Sequence, residues 1–235
     1  MPVPAATHNN GALIEAPRRE AAKGEIATAI YAFEAGRVKE AVAHFDRSLE
    51  LNPNNRPYLW QRGIALYEAG AFREAAQQVS TCGRRAGRNG ELTERKQFRD
   101  DVGVNPNDTE EAIWAFLSEA QFLGPAAARE KLVEVTGERR PFMRDAYRAF
   151  ASPDEPRLAT STGGGAPGQD TFYNELYTAL WWEAEGDARE AKRHMLLAAR
   201  TPYFAKSGDY MATVAAVHLL QRGWDDDAQL ARLLN

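Results

Sequence analysis

The amino-acid sequence predicts an all-α protein, an α-solenoid of stacked helical hairpins ended by a C-terminal capping helix. Three observations carry that expectation. One spelling recurs three times, as Gly36-Arg-Val-Lys-Glu40-Ala41, Gly70-Ala-Phe-Arg-Glu74-Ala75 and Gly186-Asp-Ala-Arg-Glu190-Ala191. The first two copies start 34 residues apart, a period suited to two antiparallel helices and their turns. No segment alternates apolar and polar residues as a half-buried strand would.

Each element of the spelling has a physical reason. The glycine ends a first helix in a left-handed conformation that a Cβ would penalise. Seven positions earlier stands a small residue, Ala29, Gly63 or Ala179. It lets a second, antiparallel helix approach closely, and Ala41, Ala75 and Ala191 do the same from the other side. Nine positions after the glycine comes Phe45 in the first copy and Met195 in the third, bulk that fills the space between neighbouring hairpins. Leu49, Leu51 and Pro53 then close the second helix, because proline cannot continue it.

Over residues 24–55 this spelling resembles the tetratricopeptide repeat (TPR) family, which implies a right-handed superhelix with an exposed concave face. Tyr58, Trp60, Gly63, Leu66, Tyr67 and Gly70 begin a second repeat. After Gln78 the pattern fails. Removing residues 79–97 restores it: Phe98 then falls where Phe45 falls, and Asn105-Pro106-Asn107 where Asn52-Pro53-Asn54 falls. We read 79–97 as an insertion of 19 residues, either a surface loop or, since its end residues can be encoded by splice-like sequences, a translated intron.

The remaining elements follow in order. Asp108 caps a helix over 109–122, with Glu111 completing a capping box. Gly124-Pro125 breaks it and opens a second helix over 126–135. A helix over 141–150 follows. Residues 152–170, rich in Pro, Gly, Ser and Thr, read as a flexible linker. A fourth hairpin spans 171–185 and 188–200. A capping helix over 207–222 turns Val214, Val217 and Leu220 inward. Residues 1–21 are expected to be disordered, with the repeat domain running from 22 to 235.

Composition excludes several functional classes. Apolar residues make up 44% and charged residues 26%, the balance of a soluble globular protein. The 29 basic residues are outnumbered by 33 acidic ones, so the surplus that duplex binding requires is missing. The basic run Arg84, Arg85, Arg88, Arg95 and Lys96 falls in the insertion. A single cysteine, Cys82, allows neither an internal disulfide nor a Cys-based zinc site. No apolar run spans a membrane, and residues 1–19 lack the apolar core of a signal peptide. A cytoplasmic setting is the default expectation, or an organelle if the N-terminus is incomplete.

In TPR proteins the first helix of each hairpin lines the groove. The resemblance therefore implies a partner-binding surface of Ile26, Ile30 and Phe33, then Trp60, Ile64 and Tyr67, then Ile113 and Leu117, then Tyr173 and Leu176. Such a surface suits an amphipathic helix or apolar peptide. The competing expectation is that these residues are core, or are covered by the chain's own terminus. TPR domains that clamp a C-terminal carboxylate use basic groove residues. Ile26, Ile30, Gln61, Glu110 and Trp114 stand at those positions, which argues against that function. Hairpin spacing, long loop and closing helix also resemble, diffusely, bacterial outer-membrane TPR lipoproteins that act as adaptors for cell-wall hydrolases. Their lipid-accepting cysteine is missing.

Signals for catalysis are weak. His8, His44, His194 and His218 lack ligand spacing. Gly163-Gly164-Gly165 lacks the Lys-Ser or Lys-Thr of a phosphate loop. Glu175, Glu183 and Glu185 share a helix without a cue for acid–base work, and of Trp181-Trp182 one belongs to the core. The expected function is a protein-binding adaptor or scaffold for a protein or peptide partner, with no cofactor, metal, nucleic acid or membrane. A second copy of the chain is an allowed partner. The alternatives are an enzyme with a site between the 152–170 loop and the last helices, or a structural subunit. Exposure of Trp60 and Tyr67 in a groove favours the adaptor; a polar pocket gathering His218, Asp209 and Glu183 favours the enzyme.

Overall fold

The repeated glycines fix where the chain turns. In the computed structural model, which describes residues 10–81, 109–135, 137–154, 166 and 168–224, Gly36, Gly70 and Gly186 have φ of 72°, 76° and 89°. Each ends its helix with the same pair of backbone bonds. Gly36 N–H donates to Phe33 O and Arg37 N–H to Ala32 O; Gly70 N–H donates to Tyr67 O and Ala71 N–H to Leu66 O; Gly186 N–H donates to Glu183 O and Asp187 N–H to Trp182 O. These satisfy carbonyls that a helix end leaves unpaired.

The turns join α1 (Asn10–Glu34) to α2 (Val38–Leu51), α3 (Trp60–Glu68) to α4 (Phe72–Thr81), and α8 (Gln169–Glu185) to α9 (Ala188–Ala199). Each pair packs along its length. Ala29 and Ala41 of the first pair are solvent-inaccessible, and Gly63 and Ala75 of the second and Ala179 and Ala191 of the third are buried. Phe45 and Met195 are both 0% exposed. Burying either stabilises the fold by about 1.5–3 kcal/mol.

The first and fourth hairpins share a further feature. Eleven residues before the glycine stands a glutamate and eight after it a histidine, Glu25 and His44 in one and Glu175 and His194 in the other. In both, the histidine Nδ1 lies 2.6 Å from the carboxylate Oε2 across the hairpin.

Pro53 ends α2 as expected, and a 3-10 turn, Pro53–Tyr58, leads into α3. Arg62 ties three elements together, donating to Asp46 on α2 and to Gln78 on α4, whose own amide donates to the carbonyl of Arg56. The helix α4 continues through residues 79–81 of the expected insertion. The rest of that segment, and the realigned Phe98 and Asn105-Pro106-Asn107, lie outside the described residues, as does most of the 152–170 linker.

Beyond the insertion come α5 (Thr109–Leu123), α6 (Pro125–Arg129) and α7 (Pro141–Ala151). The helix expected over 126–135 is cut short at Arg129. Val133 and Val135 lower helix propensity there, and the Tyr147 hydroxyl holds the irregular backbone, donating to Val133 O (2.9 Å) and accepting from Val135 N–H (3.4 Å). Both α6 and α7 pack on α5, so the second half of this hairpin is divided between them.

A short helix not anticipated from sequence, α10 (Pro202–Lys206), precedes α11 (Tyr210–Gln221). Asp209 caps α11, accepting from Met211 N–H at 2.9 Å. Val214 and Val217 are buried, as expected. Leu220 is not; it stays 37% exposed, with one side against the Gly36 turn, where an added Cβ would collide with it. Gly223 (φ 62°) ends α11 with the same two bonds as the other glycines, and Ala216 stands seven positions before it. The helix at the chain's start differs from expectation too: α1 begins at Asn10, twelve residues before the expected start of the domain at 22.

Among the described residues the fold is all-α, with paired helices and no strand. The first helices pack on one another as well as on their hairpin partners. Contacts run from α3 to α5, from α5 to α8, and from α11 to α1, α3 and α9.

Candidate functional site

The side chains expected to line an open groove fill the space between the first helices. Phe33, Ile64, Tyr67, Ile113 and Tyr173 are buried, at 0–5% exposure, Ile30 is half-buried, and Trp60 is 37% exposed. Leu117 and Leu176 are likewise core. Five of the seven chief groove positions are therefore buried, and two of these, Ile64 and Tyr173, also line a cavity. On α1 and α3 part of the cause is α11, which packs against both helices. Its Tyr210 stacks on Phe33 (centroids 5.8 Å apart) and meets Trp60 edge-on (5.0 Å). The stripe of apolar residues at helical spacing was legible; which surface covered it was not.

Two polar clusters sit between these helices. In the deeper one, His218 Nδ1–H donates to Glu68 (3.0 Å) and its Nε2 lies 3.5 Å from Glu183. Arg222 donates to both carboxylates, at 2.9 Å and 2.7 Å, and the Tyr67 hydroxyl donates to Glu183 at 2.8 Å. The Glu68 side chain is 0% exposed and that of His218 1%. Burial raises the pKa of Glu183, but His218, Arg222 and the Tyr67 hydroxyl outweigh it, so the carboxyl titrates below its ordinary range. Burial, followed by the charge of Glu183, pushes the Tyr67 phenol well above its ordinary value. Removing one partner would strand a buried charge, so the cluster locks α11 onto α3 and α8.

His218 and Glu183 thus meet, while Asp209 does not join them. It caps the opposite end of α11, nine residues or about 13 Å of helix away. Glu175, Glu183 and Glu185 are engaged separately, by His194, by the buried cluster and by Arg129 respectively. Trp181 is core, its indole N–H donating to Ala149 O.

The second cluster surrounds an opening. Trp60, Glu110, Glu111, Asp209 and Tyr210 stand at or just before the first turns of α3, α5 and α11. Together with Ile64, Trp114, Tyr173 and Met211 they line a cavity of about 290 Å³. Trp60 stands at the rim, the most exposed tryptophan position among the lining residues. The Tyr173 and Tyr203 hydroxyls both donate to Asp209 Oδ2, at 2.7 Å and 2.6 Å. The Tyr177 hydroxyl donates to Glu110 (3.1 Å), and Arg140 donates to the other oxygen of Glu110 (3.3 Å). Burial, then the Asp209 hydrogen bond and charge, lift the Tyr203 phenol to about 12, so it stays a donor at neutral pH.

Three of the groove residues named from sequence, Trp60, Ile64 and Tyr173, meet at this cavity. Glu111, Asp209, Tyr210 and Met211 were missed as lining residues. Asp209 carried a signal as a helix cap, but nothing in sequence placed the start of α11 beside the starts of α3 and α5. Among the described residues no group of His, Cys, Asp and Glu is arranged to hold a metal ion, and no helix is long and apolar enough to cross a membrane. Comparison with family models, curated proteins and solved structures gives no match.

Proposed function

We propose that the chain is a TPR-type α-solenoid whose end closes on its beginning, and that it acts as a protein-binding adaptor. Support for the TPR reading comes from three hairpins with one turn geometry, buried small residues at one spacing, and a shared His–Glu pair in two of them. In this reading the partner engages the opening at the helix starts, since the concave face is filled by α11.

The observation that carries the proposal is Trp60. A large aromatic residue held 37% exposed in the lining of a cavity, edge-on to Tyr210, is the kind of anchor that dominates protein interfaces. Tyr67 no longer serves as a groove residue, because its ring is core and its hydroxyl belongs to the buried cluster. The test is partner capture by the full chain against Trp60→Ala, with unfolding followed alongside. Loss of about 2 kcal/mol of binding, some thirtyfold, with unchanged helicity is expected. Equal capture by both proteins overturns the proposal.

A further inference from the structure

We propose that His218 is a proton latch: the docked α11 holds His218 as an imidazolium between two buried carboxylates, and loss of that proton as pH rises loosens α11. A latch of this kind needs no partner, so it stands apart from the adaptor reading.

The charges of the cluster do not balance without that proton. Glu68 from α3, Glu183 from α8 and Arg222 from α11 surround His218. The side chains of Glu68 and His218 are 0% and 1% exposed, and those of Glu183 and Arg222 15% and 20%. Tyr67, from α3, joins them as a neutral donor to Glu183. The helices α1, α9 and α10 also pack on α11, but among the described residues none of them adds a hydrogen bond or ion pair to the cluster. Two carboxylates therefore face one guanidinium. A buried excess of one negative charge is costly, and one further proton cancels it. With an imidazolium, both cations belong to α11 and both carboxylates to the helices it bridges, so the proton strengthens the docking of α11.

The hydrogen bonds say where the proton sits. Glu68 accepts on both oxygens, from His218 Nδ1–H at 3.0 Å and from Arg222 at 2.9 Å. Glu183 also accepts on both, from Arg222 at 2.7 Å and from the Tyr67 hydroxyl at 2.8 Å. That hydroxyl accepts in turn from Gln121 at 3.5 Å, so its own hydrogen goes to Glu183. A proton on either carboxyl would displace one of these donors. His218 Nε2 differs. It is shielded from solvent, has no hydrogen-bond partner among the described residues, and lies 3.5 Å from Glu183 Oε2. Bare, it is a buried acceptor without a donor, its lone pair beside a carboxylate. Protonated, it is a second cation beside Glu183. The Trp224 ring, 5.6 Å away between centroids, adds the attraction of an aromatic ring for a cation.

An unfolded chain releases the imidazole proton above about pH 6.5, whereas the docked cluster keeps it. The stability it contributes is therefore complete below that pH and falls as pH rises, at up to about tenfold in the folding equilibrium per pH unit for one retained proton.

The test uses the ¹⁵N-labelled full chain. With the ring nitrogens of His218 assigned, both are expected to carry a proton at neutral pH; a bare Nε2 overturns the proposal. Urea unfolding of the parent and of His218→Gln is then followed from about pH 6.5 upward. The parent's folding equilibrium is expected to fall relative to the variant's, with a slope approaching about tenfold per pH unit. Parallel pH dependences overturn the latch. The comparison cancels His44 and His194, which both proteins share. If the variant does not fold, the Nε2 proton of the parent decides alone.

Discussion

Single residues differ in what they hold in place, even at equivalent points of the repeat. Gly36 and Gly70 occupy the same turn at nearly the same φ, 72° and 76°. An added Cβ at Gly70 meets open space, while at Gly36 it runs into Leu220 of α11. Gly70→Ala is therefore expected to cost only the left-handed penalty of about 1–2 kcal/mol. Gly36→Ala is expected to cost somewhat more, because the Leu220 side chain must also turn aside. Urea unfolding of the two variants checks the order; a smaller loss for Gly36→Ala than for Gly70→Ala would contradict that contact. Glu138 gives a pH signature. Burial raises its pKa, but hydrogen bonds from the Arg140 side chain and backbone and from the Thr109 hydroxyl outweigh it and bring the group to about 2, from 4.5. A depressed folded-state pKa contributes stability that is present above the unfolded value and lost as pH falls through the folded one. Between pH 4.5 and about 2 the parent should therefore lose on the order of 2 kcal/mol more than Glu138→Gln, after allowing for the partly exposed Arg140. Parallel acid-unfolding curves for the two proteins would count against the bonded carboxylate.

At the scale of elements, the hairpin seams carry the prediction. Gly63 on α3 and Ala75 on α4 are both buried, and the repeat spacing sets them opposite one another. Gly63→Leu should destabilise by about 1–3 kcal/mol through overpacking, read from the urea midpoint. A parent-like midpoint would place the residue away from the seam. This part of the fold was legible because it depends on local chemistry: a left-handed glycine, a small residue one and a half to two turns before it, an alanine after the glutamate. The same chemistry was overlooked at Gly223, where Ala216 keeps the spacing. Less was legible where tertiary contacts overrule propensity. The helix expected over 126–135 stops at Arg129 because the Tyr147 hydroxyl, from a later helix, satisfies the backbone at Val133 and Val135. Likewise α1 starts at Asn10 although Pro17 removes a backbone donor within it.

For the whole molecule, the decisive contacts are the ones furthest apart in sequence. His218 reaches Glu68 across 150 residues, and Gln221 donates to Gly36 O across 185. Helical spacing marks an inward face but does not say whether a partner or the chain itself covers it. Phe33, Ile64, Tyr67, Ile113 and Tyr173 are buried by the chain itself, which their spacing alone left undecided. What stays open is the cavity at the helix starts, where Trp60, Ile64 and Tyr173 meet residues of α11. The most direct test of this closure is a nuclear Overhauser spectrum of the full chain with its aromatic rings assigned. Cross-peaks from Tyr210 to both Phe33 and Trp60 are predicted, from ring centroids 5.8 Å and 5.0 Å apart. Assigned rings with neither cross-peak would contradict the closure, and would leave the faces of α1 and α3 open.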